Sequence, residues 1–492
     1  MLRLAPPLVA LAGTLLVAGA ARAETYHVSP RGDDGDAGTD GLPWQTLQHA
    51  ADRVQPGDTV MVQAGTYRGF DLRVSGTADA PIRFVAAAGA IINLDNPETP
   101  DGINVEDAAW IEIEGFTITN VSRSGIRAAD CGAVTLRRNR IDAVGTWGIF
   151  TGFCDDLRIL DNVVSGAGRQ HGIYVSNSGD RPIVRGNQVF DCAQSGIQLN
   201  GDVNEGGDGI ISGAVIEENV IHHTGAEGGA AINLDGVVGA VIRNNVLYEN
   251  RANGISVFRI DGGAPSTGNT IVHNTIVMPP RTRWAIHVWD ASTDTTIVNN
   301  ILLSEHDTRG AIDLSRDSLP GLRSDHNLVI GRFTLDDAEP VINLDAWRAQ
   351  TGQDANSKLA TADELFVDWR KDDLTPKATS PAIDAGDEAV APRRDVRGYA
   401  RPVGVAVDIG AHEHCVGPER CIPIDLPPDP TPTGDHPRGG GGGGGGGRPR
   451  AGGPTQVVPQ GCCGGGSGPA QALALSALVV GLVGRRRRGT PS

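Results

Sequence analysis

The chain has 492 residues, a formal net charge of −17 and 67 glycines, and only 4% of its residues are aromatic. An acidic balance of this size argues against a nucleic-acid partner, and the one run of basic residues, Arg485–Arg488, stands at the far end of the chain. No cysteine spacing matches a zinc site, and the first lysine is Lys358, so chemistry that needs a lysine earlier in the chain is excluded.

Residues 1–23 read as a secretory signal: Arg3 carries the charge, Leu8 to Ala20 form the apolar run, and Ala21-Arg22-Ala23 ends it with small residues. Residues 24–100 are expected to hold an N-terminal cap and the first coils. Thr25 to Ser29 reads as a strand, and an acidic, glycine-rich turn follows with Asp33, Asp34 and Asp36. From Trp44 to Val54 the residues Leu47, Ala50, Ala51 and Val54 share one helical face, which predicts a short lid helix for an open sheet edge. Pro56-Gly57-Asp58 then turns the chain into Thr59–Gln63.

Residues 101–330 repeat. A small residue followed by Ile occurs at Ile103, Ile126, Ile149, Ile173, Ile197, Ile232, Ile255, Ile286 and Ile312. Subtracting neighbouring numbers gives 23, 23, 24, 24, 35, 23, 31 and 26, a period that marks stacked repeats. An Asn recurs downstream at 139, 162, 187, 219, 245, 274, 300 and 327, with an aliphatic two residues later. An aliphatic also stands three residues before it, except at Ser324. Each repeat therefore reads strand, loop, strand, Asn turn, strand, with the Asn suited to a left-handed bend and to stacking along a ladder. Three short strands per turn without a helix wind into a parallel coil whose rungs lie about 4.8 Å apart. A leucine-rich horseshoe needs Leu at most core positions and helices in many repeats; here Ile and Val dominate. On these three recurring positions the chain resembles the right-handed parallel β-helix family of secreted bacterial proteins. The fold this implies is an all-β, single-stranded solenoid with an N-terminal helical cap, and the cap resembles that of polysaccharide-lyase-like β-helices.

Residues 331–415 read as a C-terminal closing module. Ser380-Pro381-Ala382-Ile383-Asp384-Ala385-Gly386 and Asp408-Ile409-Gly410-Ala411-His412-Glu413 resemble the choice-of-anchor Q module. Residues 416–460 are a Pro/Gly-rich tether, and 461–492 hold Cys462-Cys463, an apolar run from Ala470 to Val483 and the four arginines. That layout resembles the MYXO-CTERM sorting tail, which implies a protein displayed on the cell surface or outer membrane and touching membrane only through its tail. A plain C-terminal membrane anchor is the rival reading. The cysteines suit an oxidising compartment. Cys131 and Cys154 both stand five residues after a repeat Ile, one coil apart and within disulfide reach, and Cys415 with Cys421 can close a small loop.

In a strand the residue after an inward Ile points outward. That column reads Asn104, Arg127, Phe150, Tyr174, Gln198, Asn233, Ser256, His287 and Asp313, and a second, two residues on, includes Glu106, Asn200, Asp235, Phe258 and Trp289. Aromatics beside amides suit sugar rings, and β-helix carbohydrate enzymes floor their groove with the equivalent sheet. Arg127, Phe150, Tyr174, Gln198, Asn200, Asn233, Phe258, Trp289 and Asp313 are the expected substrate-binding residues. The two long repeats insert Gly201–Asp208 and Arg259–Gly263 at one strand edge, as walls.

The candidate acids are Asp235, Asp202 and Asp208, and the proton-handling candidates are His171, Arg259 and His287. His287 and Asp313 are stacked neighbours, an arrangement in which the acid favours the imidazolium. Asp202, Glu205, Asp208 and Asp235 supply the oxygen ligands calcium prefers, and calcium is the one cofactor expected. The polygalacturonase signature and the Asp-Pro-His-Asp motif of alginate epimerases are absent; Gln170-His171-Gly172 is a fragment out of order. Two functions stand: a monomeric, surface-displayed lyase, epimerase or glycosidase acting on a polysaccharide, or a non-catalytic surface protein that binds a glycan or partner, or serves as a stalk.

Overall fold

The computed structural model describes residues 22–336, 340–415, 417 and 421–424. The signal and tether therefore lie mostly, and the tail wholly, outside the described residues. The chain winds into three parallel sheets, of eleven, twelve and twelve strands. The first sheet holds the Gly-Ile strands, from Phe70–Leu72 to Phe333–Leu335; the second runs from Thr25–Val28 to Arg323–Asp325; the third runs from Gly65–Arg68 to Lys358–Leu359. This is the right-handed parallel β-helix that the repeat predicts.

All nine repeat Ile residues are fully buried, in register from Ile103 to Ile312. The small residue before each Ile has a packing cause. A Cβ on Gly148 would lie 2.2 Å from Val164 Cγ1, and one on Gly196 would lie 2.4 Å from Ile221 Cγ2, both third-sheet core methyls. At those two positions a Cβ fits only if its neighbours shift.

The Asn residues stack as expected. Each backbone N–H from Asn139 to Asn300 donates to the side-chain oxygen of the next Asn at 2.9–3.0 Å. Phe116 opens the row by donating to Asn139, and Asn327 closes it by donating to Ser357 Oγ. The backbone corrects one expectation. The left-handed residue is the one before each Asn: Arg138, Asp161, Gly186, Glu218, Asn244, His273, Asn299 and His326 all have φ between 52° and 69°. The Asn is kept for its amide, which serves buried donors and acceptors on three coils.

At the N-terminal end the helix Leu47–Ala51 buries Leu47, Ala50 and Ala51 as its pattern predicts. Its Gln48 side chain accepts from Asp71 N at 2.8 Å and donates to Asp71 O at 2.9 Å, taking the place of a neighbouring strand. The residues expected to close the far end divide into two parts. The helix Leu344–Thr351 covers the coil end, with Trp347 fully buried and stacked on Phe333 at 5.0 Å. The later segment runs back along the outside of the third sheet. Leu365, Phe366, Ala382, Ile409 and Ala411 bury the outward side chains of Val246, Val277, Ile301, Leu303 and Leu328. Arg394 ion-pairs with Glu218, and Arg401 pairs with Glu413 where both side chains are fully buried.

Cys131 and Cys154 form a disulfide between adjacent coils, as do Cys415 and Cys421 within their loop; Cys192 is free and buried. Among the described residues no helix is long and apolar enough to cross a membrane.

Candidate functional site

Strand pairing stacks the predicted outward column residue by residue. Asn104, Arg127, Phe150, Tyr174, Gln198, Asn233, Ser256, His287 and Asp313 are consecutive partners on the first sheet. The face divides into four zones along its length.

At the N-terminal end, charges neutralise one another. Arg127 donates to Asn104 Oδ1 at 2.7 Å and lies 3.5 Å from Glu106, while Arg73 bridges Asp71 and Glu106. Next comes an aromatic platform. Phe150 meets Tyr174 edge-on at 5.5 Å, and Trp147 packs 4.8 Å from Phe150. His171 lies 5.0 Å from Tyr174, and Trp147 Nε1 donates to Gln170 Oε1 at 2.6 Å. Trp147 and Gln170 are absent from the outward columns: Trp147 is the first residue of the strand Trp147–Gly152, and Gln170 lies in the bend before the strand Ile173–Ser176. Strict alternation places Trp147 on the inward side with Ile149, so the period-two reading does not find it. Burial drives the pKa of His171 down to about 3, and its Nδ1 accepts from Ser195 N at 3.2 Å. The ring is therefore a neutral spacer. Burial also pushes the Tyr174 hydroxyl above its usual range, with Asp202 and Asp261 adding to the effect.

The third zone is amide. Gln198 Oε1 accepts from Asn233 Nδ2 at 2.7 Å and from Ser195 Oγ at 3.0 Å, fixing both side chains. Asn200 is buried beside them and Phe258 is half-buried. The two inserted loops meet here: Val203 N donates to Asp261 O at 3.1 Å, and Gly263 N donates to Gly209 O at 2.7 Å. Asp235 is their anchor. Its carboxylate accepts from Ile260 N and Asp261 N at 2.9 Å and from Gly262 N at 3.1 Å. Burial raises its pKa against the pull of those three amides. Asp202 and Asp208 each accept from a backbone N–H two residues on, and Arg259 Nε donates to Gly262 O at 3.0 Å. Among the described residues no group of three or more His, Cys, Asp or Glu is arranged to hold a metal. The donor set Asp202, Glu205, Asp208 and Asp235 is not gathered as calcium needs: Asp235 is engaged by three backbone amides, and Asp202 and Asp208 each hold a backbone N–H of their own loop.

The fourth zone joins His287, Trp289 and Asp313. His287 Nδ1 lies 2.8 Å from Asp313 Oδ2, and Trp289 Nε1 donates to the same oxygen at 3.0 Å. The indole stacks on the imidazole at 5.4 Å. Asp313 is 2% exposed and its Oδ1 has no hydrogen-bond partner. One carboxylate oxygen of Asp313 thus holds both the imidazole Nδ1 of His287 and the indole N–H of Trp289.

The fold is a right-handed parallel β-helix whose first sheet carries an outward row of aromatic, amide and His–Asp side chains. Residues 26–152 match the family model described as Pel9A-like, right handed beta helix region, and residues 101–276 match the right handed beta helix region model. The chain is 37% identical over 114 residues to the uncharacterized protein YwoF of Bacillus subtilis (strain 168), covering 22% of this chain and 24% of that one. It is 37% identical over 81 residues to pectate lyase PEL9 of Emericella nidulans (strain FGSC A4), covering 16% of this chain and 20% of that one. The matched stretches thus span about a quarter or less of those relatives. Among solved structures, pectate lyase Pel9A superposes with a TM-score of 0.54 at 14% identity, over 81% of this chain and 98% of that chain. At that identity the likeness is one of fold.

Proposed function

We propose that the outward face of the first sheet is a polysaccharide-processing groove in which His287, oriented by Asp313, transfers a proton. The observation that carries this reading is the single in-register row that runs from the Phe150–Tyr174 rings through the Gln198–Asn233 amides to the His287–Asp313 pair. Rings supply flat apolar surface for sugar faces, and amides bind hydroxyl rims. The similarity to a pectate lyase supports a polysaccharide as the ligand.

Proton abstraction, as in a lyase or epimerase, fits better than glycoside hydrolysis. Hydrolysis needs two free carboxyl groups across the bond, and Asp235 is bound by three amides while Asp313 is committed to His287 and Trp289. An extracytoplasmic location belongs to the same proposal, supported by the two disulfides.

The test is a polysaccharide panel assayed for unsaturated products, new reducing ends or altered stereochemistry. His287→Asn is expected to lower turnover about 10²–10⁴-fold with the fold and glycan affinity retained. Asp313→Asn is expected to lower turnover through the wrong tautomer. Full activity in His287→Asn overturns the assignment; affinity for a glycan that wild type never alters leaves a binding protein instead.

A further inference from the structure

The hydrogen bonds of the amide zone run in one direction. Ala230 N donates to Ser195 Oγ at 3.3 Å, which leaves the Ser195 hydroxyl hydrogen to donate to Gln198 Oε1 at 3.0 Å. That contact orients the Gln198 amide, with its oxygen toward Ser195. The same oxygen accepts from Asn233 Nδ2 at 2.7 Å, which orients Asn233 in turn. Ser195 itself is wedged in place: a Cβ on Gly229 would lie 2.3 Å from its Oγ.

Two groups are left over. Among the described residues no protein atom pairs with Gln198 Nε2 or with Asn233 Oδ1. Yet Gln198 is 5% exposed and Asn233 only 2%. Buried polar groups ordinarily find partners, so one stranded donor beside one stranded acceptor marks a place for a ligand that carries both. The surroundings narrow its chemistry. The outward column Phe150, Tyr174, Gln198, Asn233 and Ser256 holds no Lys or Arg, and the carboxylates of Asp202 and Asp261 lie close enough to act on the Tyr174 hydroxyl. A sugar carboxylate can only accept, so it would leave Asn233 Oδ1 stranded and meet no counter-charge. An ammonium can only donate, so it would leave Gln198 Nε2 stranded. A secondary amide carries an acceptor and a donor in one plane. On the preceding coil Tyr174 stands in register with Gln198, and His171 and Trp147 flank its ring at 5.0 and 6.3 Å, an apolar surface for a methyl group.

We infer that this amide pair is a subsite for an N-acetylated amino sugar, whose acetamido carbonyl accepts from Gln198 Nε2 and whose N–H donates to Asn233 Oδ1, with the methyl group against the Tyr174 ring. The inference rests on the groove reading and names the substrate class at its centre. Asn233 and His287 are separated by the coil of Ser256, so the acetylated sugar is a neighbour of the one from which His287 takes a proton. A site built to pair with an amide discriminates against analogues that lack it, because the buried groups are then left unpaired.

The experiment measures affinity of the protein for sugars that differ at one substituent. One set is chitotetraose, its deacetylated form and cellotetraose; the other is N-acetylgalactosamine and galactose. Tetragalacturonate is the charged control. In at least one set the acetylated member is expected to bind about tenfold or more tightly than its partners. Gln198→Glu and Gln198→Met remove the donor, one with a charge and one without, and both should abolish that preference, with circular dichroism confirming the fold. The wild-type ranking decides alone if either variant fails to fold. Equal affinity for acetylated and hydroxyl partners in both sets, tighter binding of tetragalacturonate, or a preference that survives in a folded Gln198 variant overturns the inference. So does a lack of affinity for every acetylated probe, which leaves water as the partner of both groups. If the preference holds and no polysaccharide is turned over, the subsite stands and the proton-transfer reading falls. Turnover that depends on His287, without the preference, gives the reverse.

Discussion

Replacing Asp235 separates a loop anchor from a catalytic acid. Its carboxylate accepts three backbone N–H groups from Ile260, Asp261 and Gly262. Hydrogen bonds to a charged group contribute about 1.5–3 kcal/mol each. Ile260 is exposed and Asp261 partly so, and water rehydrates them once the loop lifts, whereas Gly262 is buried. The net effect of Asp235→Ala is therefore a loop-opening free energy lower by roughly 3–4 kcal/mol. At tenfold per 1.4 kcal/mol, exchange of those three amides should accelerate about 10²–10³-fold. The 201–210 loop should loosen with them, because Val203 and Gly263 tie the two loops together. Asp235→Asn keeps one acceptor oxygen but turns an amide donor toward a backbone donor, so its effect is intermediate. Native-state hydrogen exchange by mass spectrometry reads both. Unchanged exchange in Asp235→Ala refutes the anchor, and a loss of turnover in Asp235→Asn without faster exchange returns the residue to the chemistry.

Other expectations follow from the same contacts. Asn219→Ala removes two bonds accepted from Asn187 and two donated, to Val184 O and Asn245 Oδ1, all buried; urea denaturation should show a loss of about 4–6 kcal/mol, and a loss under about 1 kcal/mol would deny the ladder a structural role. His171, with its pKa near 3, should show no imidazole titration by NMR between about pH 4 and 8. Its folded pKa lies below the unfolded one, so it withdraws stability only as pH falls below about 6.5; a titration near neutrality would contradict the neutral spacer. Asp408 has its pKa raised to about 7 by burial and by Glu413. A raised carboxyl pKa contributes stability that is complete below the unfolded value and is lost as pH rises through the folded one. Melting of the segment on the third sheet should therefore occur at lower temperature at pH 8 than at pH 6, and Asp408→Asn should flatten that dependence. Chelator treatment is expected to leave melting and glycan affinity unchanged, because the proposed oxygen donors do not converge; a chelator-sensitive protein would restore calcium to the site.

The sequence by itself determined every property that depends on periodicity. In a parallel coil, a residue's vertical neighbour is fixed by the repeat length, so Gln198 beside Asn233, His287 beside Asp313 and Cys131 beside Cys154 were legible from subtraction alone. What lies off the repeat was not legible. Trp147 joins the platform from the first position of its strand, where strict alternation would turn it inward. The segment after Ala360 runs back over the third sheet instead of closing the coil, since its apolar residues match a face and carry no period. Asp235 offered the same carboxylate to two readings, and only the path of the Arg259–Gly263 loop decided that three amides would occupy it. Periodicity encodes which residues are stacked; which side chains remain free is set by non-repeating loops, whose course is decided by tertiary packing.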